Sequence, residues 1–379
     1  MLNRRSLIQL GSLGLSAGLI PGLAFARAAT DKRLIFIIQR GAADGLDTII
    51  PTGDPQLLAQ RGTLAVDGGT KLNSFFTLHP SMVETAKLYS AGEAAFIHAV
   101  ASPYRDRSHF DAQNVLESGG TLPYGIKTGW MNRLVSFLPE GGKGAIALSP
   151  TIPMALRGPA NAASYAPSAL PDASPDFIAR ISQMYAADPQ LHGLWDQALA
   201  TRSMAGDAGN ARDAAALGTL AAKVMAGPNG ARIAMMETTG WDTHSAQKGR
   251  LANQLKNIDA LLAALRTGLA ADWANTLVIV ATEFGRTVAA NGTGGTDHGT
   301  ASAAMLLGGA VKGGQVIADW PGLRTPALYE GRDLKPTLGL DQLIANSTAA
   351  HFGIDPAQAS RVLFPEMIPG KRIEGLVRG

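Results

Sequence analysis

The chain has 379 residues, 46% of them apolar and 17% charged, with a formal net charge of +3. That balance excludes a disordered polar chain, and so small a charge, part of it on the leader, argues neither for nucleic acid nor for a membrane surface. Cysteine is absent, which excludes disulfides, thiol nucleophiles and thiolate ligands and leaves Asp, Glu, His and backbone to hold any metal.

Residues 1–28 read as an export leader rather than as structure. Asn3-Arg4-Arg5-Ser6-Leu7-Ile8 resembles a twin-arginine signal, and the Gly-rich apolar run from Leu10 to Phe25 is too short to span a bilayer well. Cleavage after Ala26 or Ala28 predicts a periplasmic or secreted chain. The twin-arginine translocase is then its partner during export, and no stable membrane span remains. The mature chain, about 350 residues, is long enough for one large α/β domain or two smaller ones.

Arg33 to Gln39 is a near-continuous apolar run, the pattern of a strand buried on both faces of a parallel sheet. It delivers Arg40-Gly41-Ala42-Ala43-Asp44-Gly45-Leu46-Asp47 to the sheet edge, where Asp44 either reaches a metal or caps the next helix. Leu78 to Tyr89 reads as an amphipathic helix started by Pro80 and Ser81, and Ala94 to Val100 as a strand. His79 and His98 read as a loop residue and a satisfied core histidine.

Ser102 to Gln113 is dense in polar chemistry. Ser108, with Asp111 three residues on, opens a helix that ends at Gly119, and Arg105 and Arg107 lie where amide dipoles favour anions. Ser108 is therefore a candidate nucleophile or only a cap, and His109 is the other reactive candidate. Trp130 to Leu134 is predicted as a helix and Gly144 to Ser149 as a strand. Residues 155–230, rich in Ala, Ser, Pro and Gly, are predicted as a mostly helical insertion with helices at Asp176 to Ala186 and Arg212 to Met225.

Ile233 to Met236 is a further apolar strand, and it leads into Glu237-Thr238-Thr239-Gly240-Trp241-Asp242-Thr243-His244-Ser245. A carboxylate two residues from an imidazole at a strand's C-terminal edge suits a borderline metal; the other reading is a turn whose Asp and His cap the following helix. Ala246 to Leu269 has the leucine spacing of a long amphipathic helix. Leu277 to Thr282 ends a strand on Glu283-Phe284-Gly285-Arg286, and Thr296-Asp297-His298-Gly299 gives a second Asp/His pair. Ala304 to Gly308 and Gln315 to Ala318 are late strands, and Leu340 to Phe352 is a closing helix. The alternation predicts an α/β three-layer sandwich, a mainly parallel central sheet with helices on both faces.

Five stretches carry a resemblance: Arg40 to Asp47, Arg107 to Phe110, Gly240 to His244, Ala281 to Arg286 and Thr296 to Gly299. In this order, behind a twin-arginine leader, they look like the domain-of-unknown-function 1501 family, and more distantly like the alkaline phosphatase and sulfatase superfamily. The resemblance implies an alkaline phosphatase-like fold. It also implies an Asp after the first strand, a hydroxyl nucleophile at a helix start, an Asp with a His after a middle strand, an acid after a later one and a final His. Asp44, Ser108, Asp242 with His244, Glu283 and His298 fill those places, with Asp297 beside the last. The middle pair is two residues apart where the phosphatases usually have four, and Glu283 stands without a His. One metal is thus expected, zinc first, or a pair that includes calcium, magnesium or manganese. Ala101, two residues before Pro103-Tyr104-Arg105, stands where a sulfatase needs a Cys or Ser for formylglycine, so that branch is not expected.

The function expected is that of an exported metal-dependent hydrolase of phosphate or sulfate esters on a small molecule or polymer. Ser108 or a metal-bound water would be the nucleophile, and Arg105 or Arg286 would hold the anion. The alternatives are a non-catalytic binding protein on the same fold and a metal-dependent mutase.

Overall fold

The computed structural model describes residues 30–138, 144–167, 173–205, 213–368, 370 and 373–378. The leader expected at residues 1–28 lies outside them. The molecule is organised on one nine-stranded sheet in the order β11-β5-β10-β9-β1-β8-β6-β7, with the short β12 also paired to β5. In chain order its strands are β1 (Arg33–Gln39), β5 (Ala94–Ala101), β6 (Ala145–Ala147), β7 (Ala162–Ser164), β8 (Ile233–Thr238), β9 (Thr276–Ala281), β10 (Ser302–Leu307), β11 (Gln315–Ile317) and β12 (Leu338–Gly339), while β2 (Ile49–Ile50), β3 (Thr70–Lys71) and β4 (Thr77–Leu78) make a small second sheet. All pairings are parallel except those of β10, which runs against both β9 and β5. The expected mainly parallel three-layer sandwich is therefore what forms, with one reversed strand inside it.

β1 is apolar at nearly every position because both of its faces are covered. Ile35 and Ile37 point into one core with the helices Val83–Ser90, Ala214–Met225 and Gln247–Leu269. Leu34, Phe36 and Ile38 point into the other, with Trp130–Val135, Leu340–Phe352 and Pro356–Leu363. Each of these five side chains is fully buried, which stabilises the fold by roughly 1.5–3 kcal/mol per residue relative to exposure. β1 lies between β9 and β8 in register, Ile38 opposite Glu237 and Ala281, so the three chains leave the sheet side by side. That shared exit builds the site.

Two expectations are adjusted. The predicted helix Leu78 to Tyr89 begins only at Val83, since Thr77–Leu78 pairs as a strand in a small second sheet and Pro80 sits in the turn that follows. The helix start is capped from afar, Asp259 accepting from Glu84 N at 2.9 Å and Thr85 N at 2.7 Å. Within 155–230, β7 belongs to the main sheet and Ala214–Met225 to the core, leaving Pro175–Tyr185 and Pro189–Ala205 as the exposed helical part. Among the described residues no helix is long and apolar enough to cross a membrane.

Candidate metal centre

Four side chains from three separate stretches meet above the exits of β1, β8 and β9. His298 is at the middle. Its Nε2 lies 3.0 Å from His109 Nε2, 3.0 Å from His244 Nε2 and 3.2 Å from Asp242 Oδ1. Asp242 Oδ1 is 3.0 Å from His244 Nε2, and Oδ2 is 3.6 Å from His109 Nε2.

Each imidazole is oriented from behind. His109 Nδ1 faces Glu283 Oε1 at 2.8 Å, His244 Nδ1 faces Asp297 Oδ1 at 3.2 Å, and His298 Nδ1 faces the Arg107 carbonyl at 3.2 Å. All three partners accept only, so each Nδ1 carries the hydrogen and each neutral ring turns an Nε2 lone pair inward. His109, Asp242 and His298 thus turn two lone pairs and a carboxylate oxygen toward one point, all within 4.8 Å of one another, and His244 Nε2 stands beside Asp242 and His298. A proton on His109 satisfies only its own contact. A cation among His109, Asp242 and His298 satisfies these donors together, and a carboxylate or carbonyl behind each histidine is the usual arrangement around a metal. Donors about 2.0–2.2 Å from a tetrahedral zinc stand about 3.3–3.6 Å apart, so the observed spacings match to within a few tenths of an ångström.

The electrostatics agree. Burial works to raise Asp242, but the Arg286 guanidinium, 2.8 Å away, outweighs it and lowers the pKa. His298 is lowered by burial and by its neighbour His109, while His109 is raised, chiefly by its bond to Glu283. The side chains of Asp242 and His244 are close to half exposed, so the donors open to solvent on one side, as a site that must admit a substrate requires.

Glycines set the spacing between these loops. Gly41, at φ +117°, packs on the Asp242 main chain, where a Cβ would meet Asp242 N at 2.7 Å; one on Gly295 would meet the His244 carbonyl carbon at 2.3 Å. No side chain fits between the loops at either place.

The other expected residues stand elsewhere. Glu283 and Asp297 orient histidines rather than joining the donors. Glu283, fully buried, also accepts from Gly41 N at 2.7 Å and from Gln113 Nε2 at 3.0 Å. Asp44 is corrected from ligand to cap. It accepts from Leu46 N and Asp47 N, from both Nη atoms of the buried Arg61, and from Gln247 Nε2 at 2.7 Å. Arg286 spends donors on Asp242, Thr296 O and Thr296 Oγ1, so it holds a ligand rather than a substrate. Arg105 bonds the carbonyls of Ser102 and Tyr104. Ser108 is the N-cap residue of helix His109–Ser118, without a side-chain cap bond. His109, expected as a catalytic residue, takes a place among the donors. His98 is a satisfied core histidine, bonded to the Ile49 carbonyl at 3.0 Å.

Behind the site Asp47 shares Arg61 and Gln247 with Asp44. Burial, with Asp44 beside it, outweighs Arg61 and lifts Asp47 to about 6, while Arg61 keeps Asp44 below its ordinary value. A carboxyl raised on folding favours the fold when protonated. Its contribution is full below about pH 4 and is lost as pH rises through 6. Asp47→Asn is therefore expected to gain stability relative to the natural chain between pH 4 and 7, measured by urea unfolding at each pH. Parallel curves over that window would refute it.

A family model described as a protein of unknown function (DUF1501) matches residues 31–363. No curated protein matches the chain. Among solved structures it is similar to the C-terminal periplasmic domain of EcEptC from Escherichia coli, at 12% identity and TM-score 0.44, covering 91% of this chain and 89% of that one. It is also similar to BT1596, a 2-O GAG sulfatase, at 12% identity and TM-score 0.42, covering 89% and 74%. A third is the phosphonate monoester hydrolase of Agrobacterium radiobacter, at 8% identity and TM-score 0.39, covering 86% and 74%. At these scores the likenesses carry no argument about chemistry, which rests on the side chains.

Proposed function

From the premise that the chain belongs to the DUF1501 family, we propose that it is an exported, metal-dependent hydrolase of phosphate or sulfate esters, zinc being the cation its donors fit best. The observation that carries the metal is the inward convergence of His109, His244 and His298 Nε2 with Asp242. The choice of ester rests on the order in which chemistry follows the strands, the plan of the alkaline phosphatase and sulfatase superfamily. Imidazole nitrogens beside one carboxylate suit zinc better than calcium or magnesium, which prefer all-oxygen shells.

In this reading His109, Asp242 and His298 would hold the cation with His244 beside its open side, and Glu283, Asp297 and the Arg107 carbonyl fix the three rings. Arg286 keeps Asp242 ionised and aimed inward. The cation, when bound, supplies Lewis acidity toward an ester oxygen and toward water. With Arg286 and Arg105 committed to protein acceptors, the anion has no arginine among the expected ones to meet it, and its charge falls to the cation. Ser108 sits at the cap of helix His109–Ser118 and not among the donors, so this reading assigns the attack to water.

The test begins with the mature protein purified from the periplasm, its metal content measured and nitrophenyl phosphate, sulfate and phosphonate offered before and after chelation. Hydrolysis that chelation removes and zinc restores is expected, with Ser108→Ala keeping most of its activity. Zinc-loaded protein inert toward every ester would favour a binding protein, and a Ser108→Ala variant without activity would return the nucleophile to that hydroxyl.

A further inference from the structure

Asp333 sits in a turn far in sequence from every residue of the donor group, and it is fully buried. Its Oδ2 accepts from Arg107 Nε at 2.9 Å and Thr300 Oγ1 at 2.8 Å, and Arg107 Nη2 stands 2.8 Å from the same oxygen. Its Oδ1 accepts from Arg332 Nε at 2.8 Å. Both arginines then touch His298. Arg107 presents its carbonyl to the ring at 3.2 Å, and Arg332 Nη2 donates to the His298 carbonyl at 2.8 Å.

Arg107 presents that carbonyl from a left-handed backbone, φ +62°. A non-glycine residue there costs of order 1 kcal/mol or more and persists only when its surroundings hold it. What holds it is its own side chain, clamped by Asp333 and by Glu330 at 2.6 Å. Two residues on, the same loop delivers His109.

We propose that Asp333 is a positioning residue for the metal centre: through Arg107 and Arg332 it fixes the ring tautomer and the backbone of His298 and the loop that carries His109. This rests on the metal reading above. Without the Asp333 carboxylate the Arg107 clamp opens and its backbone relaxes from the left-handed region. The acceptor that keeps hydrogen on His298 Nδ1 moves, and the Nε2 lone pair is no longer assured at the centre.

Asp333→Asn is the near-isosteric test and Arg107→Ala the second, since it leaves Asp333 paired with Arg332 and Thr300 and so keeps the fold. Zinc affinity by chelator competition is expected to fall roughly tenfold in each, the lower end of what partners behind a ligand command. The double variant should fall no further than Asp333→Asn alone, because the Arg107 clamp is one of the two routes through which Asp333 acts. Spectra of protein carrying ¹⁵N-labelled histidine should show His298 losing its single Nδ1–H tautomer, a change that general loosening would not confine to one ring. Additive losses, or two variants with natural zinc affinity, would overturn the role of Asp333 alone; a natural protein that takes up no zinc would overturn the metal reading beneath it.

Discussion

Alanine at His298 is expected to abolish divalent-metal uptake and ester hydrolysis together while leaving the fold in place. His298 is the one donor that lies within 3.2 Å of each of the other three, so its loss leaves a carboxylate and two rings that no longer close around a centre. Structural zinc in small four-ligand sites is worth about 10–16 kcal/mol, so one ligand accounts for about 3 kcal/mol and a hundredfold or more in affinity. The side chain is partly exposed and lies outside the apolar clusters. Metal-free variant and metal-free natural chain should therefore melt within a few degrees of each other. A His298→Ala protein that still carries stoichiometric zinc would sink the proposed centre.

The second large effect falls on Glu283. Three donors converge on its Oε1, namely Gly41 N, His109 Nδ1 and Gln113 Nε2, while Thr282 Oγ1 meets Oε2 at 3.0 Å. Alanine there removes a buried charge and leaves the Gly41 amide unsatisfied at the exit of β1. The expected cost is about 1–3 kcal/mol of stability or more, the range for leaving buried donors unsatisfied. Glutamine separates charge from geometry, because its carbonyl can take the place of Oε1 and its amide can donate to Thr282. That variant should fold with a much smaller loss, yet His109, raised chiefly by Glu283, should titrate at lower pH. A raised imidazole stabilises the fold at acid pH and loses that contribution as pH climbs through its folded value. The stability of Glu283→Gln should therefore fall behind the natural chain only on the acid side. Urea unfolding across pH 5–8 and NMR titration of His109 read both effects, and an unmoved His109 would show that its pKa is set elsewhere.

Much of this architecture was legible in the chain. β1, β8 and β9 announce themselves as apolar runs because both faces are covered, and Asp242 and His244, which follow β8, stand in the donor group. The reversal of β10 was not legible. Ser302 to Leu307 is as apolar as its neighbours, and burial on both faces looks the same whichever way a strand runs. At the site the Asp and His pairs could be named from position, but their division of labour could not. A carboxylate in the loop after a strand reads alike whether it faces the centre, as Asp242 does, or stands behind a ring, as Glu283 and Asp297 do. Asp44 was misplaced because its partner, Arg61, gave no local sign: a single arginine at the end of a short helix becomes significant only once folding buries it against two acids. Asp333 was invisible for the same reason, since nothing in its own turn speaks of the histidine it supports.

The contact of Gly41 and Gly295 with the main chain at Asp242 and His244 also bears on how such a centre can change over time. Main chain resting on main chain sets how far apart the loops stand, whatever side chains they carry, so the donor set and its spacing are separable. A histidine traded for an aspartate would meet the same geometry and shift preference from zinc toward oxygen-loving cations, whereas a single methyl at either glycine would part the loops and spoil the centre for any ion. The loops are thus a socket with interchangeable pins, and new specificity can be reached through the pins one substitution at a time.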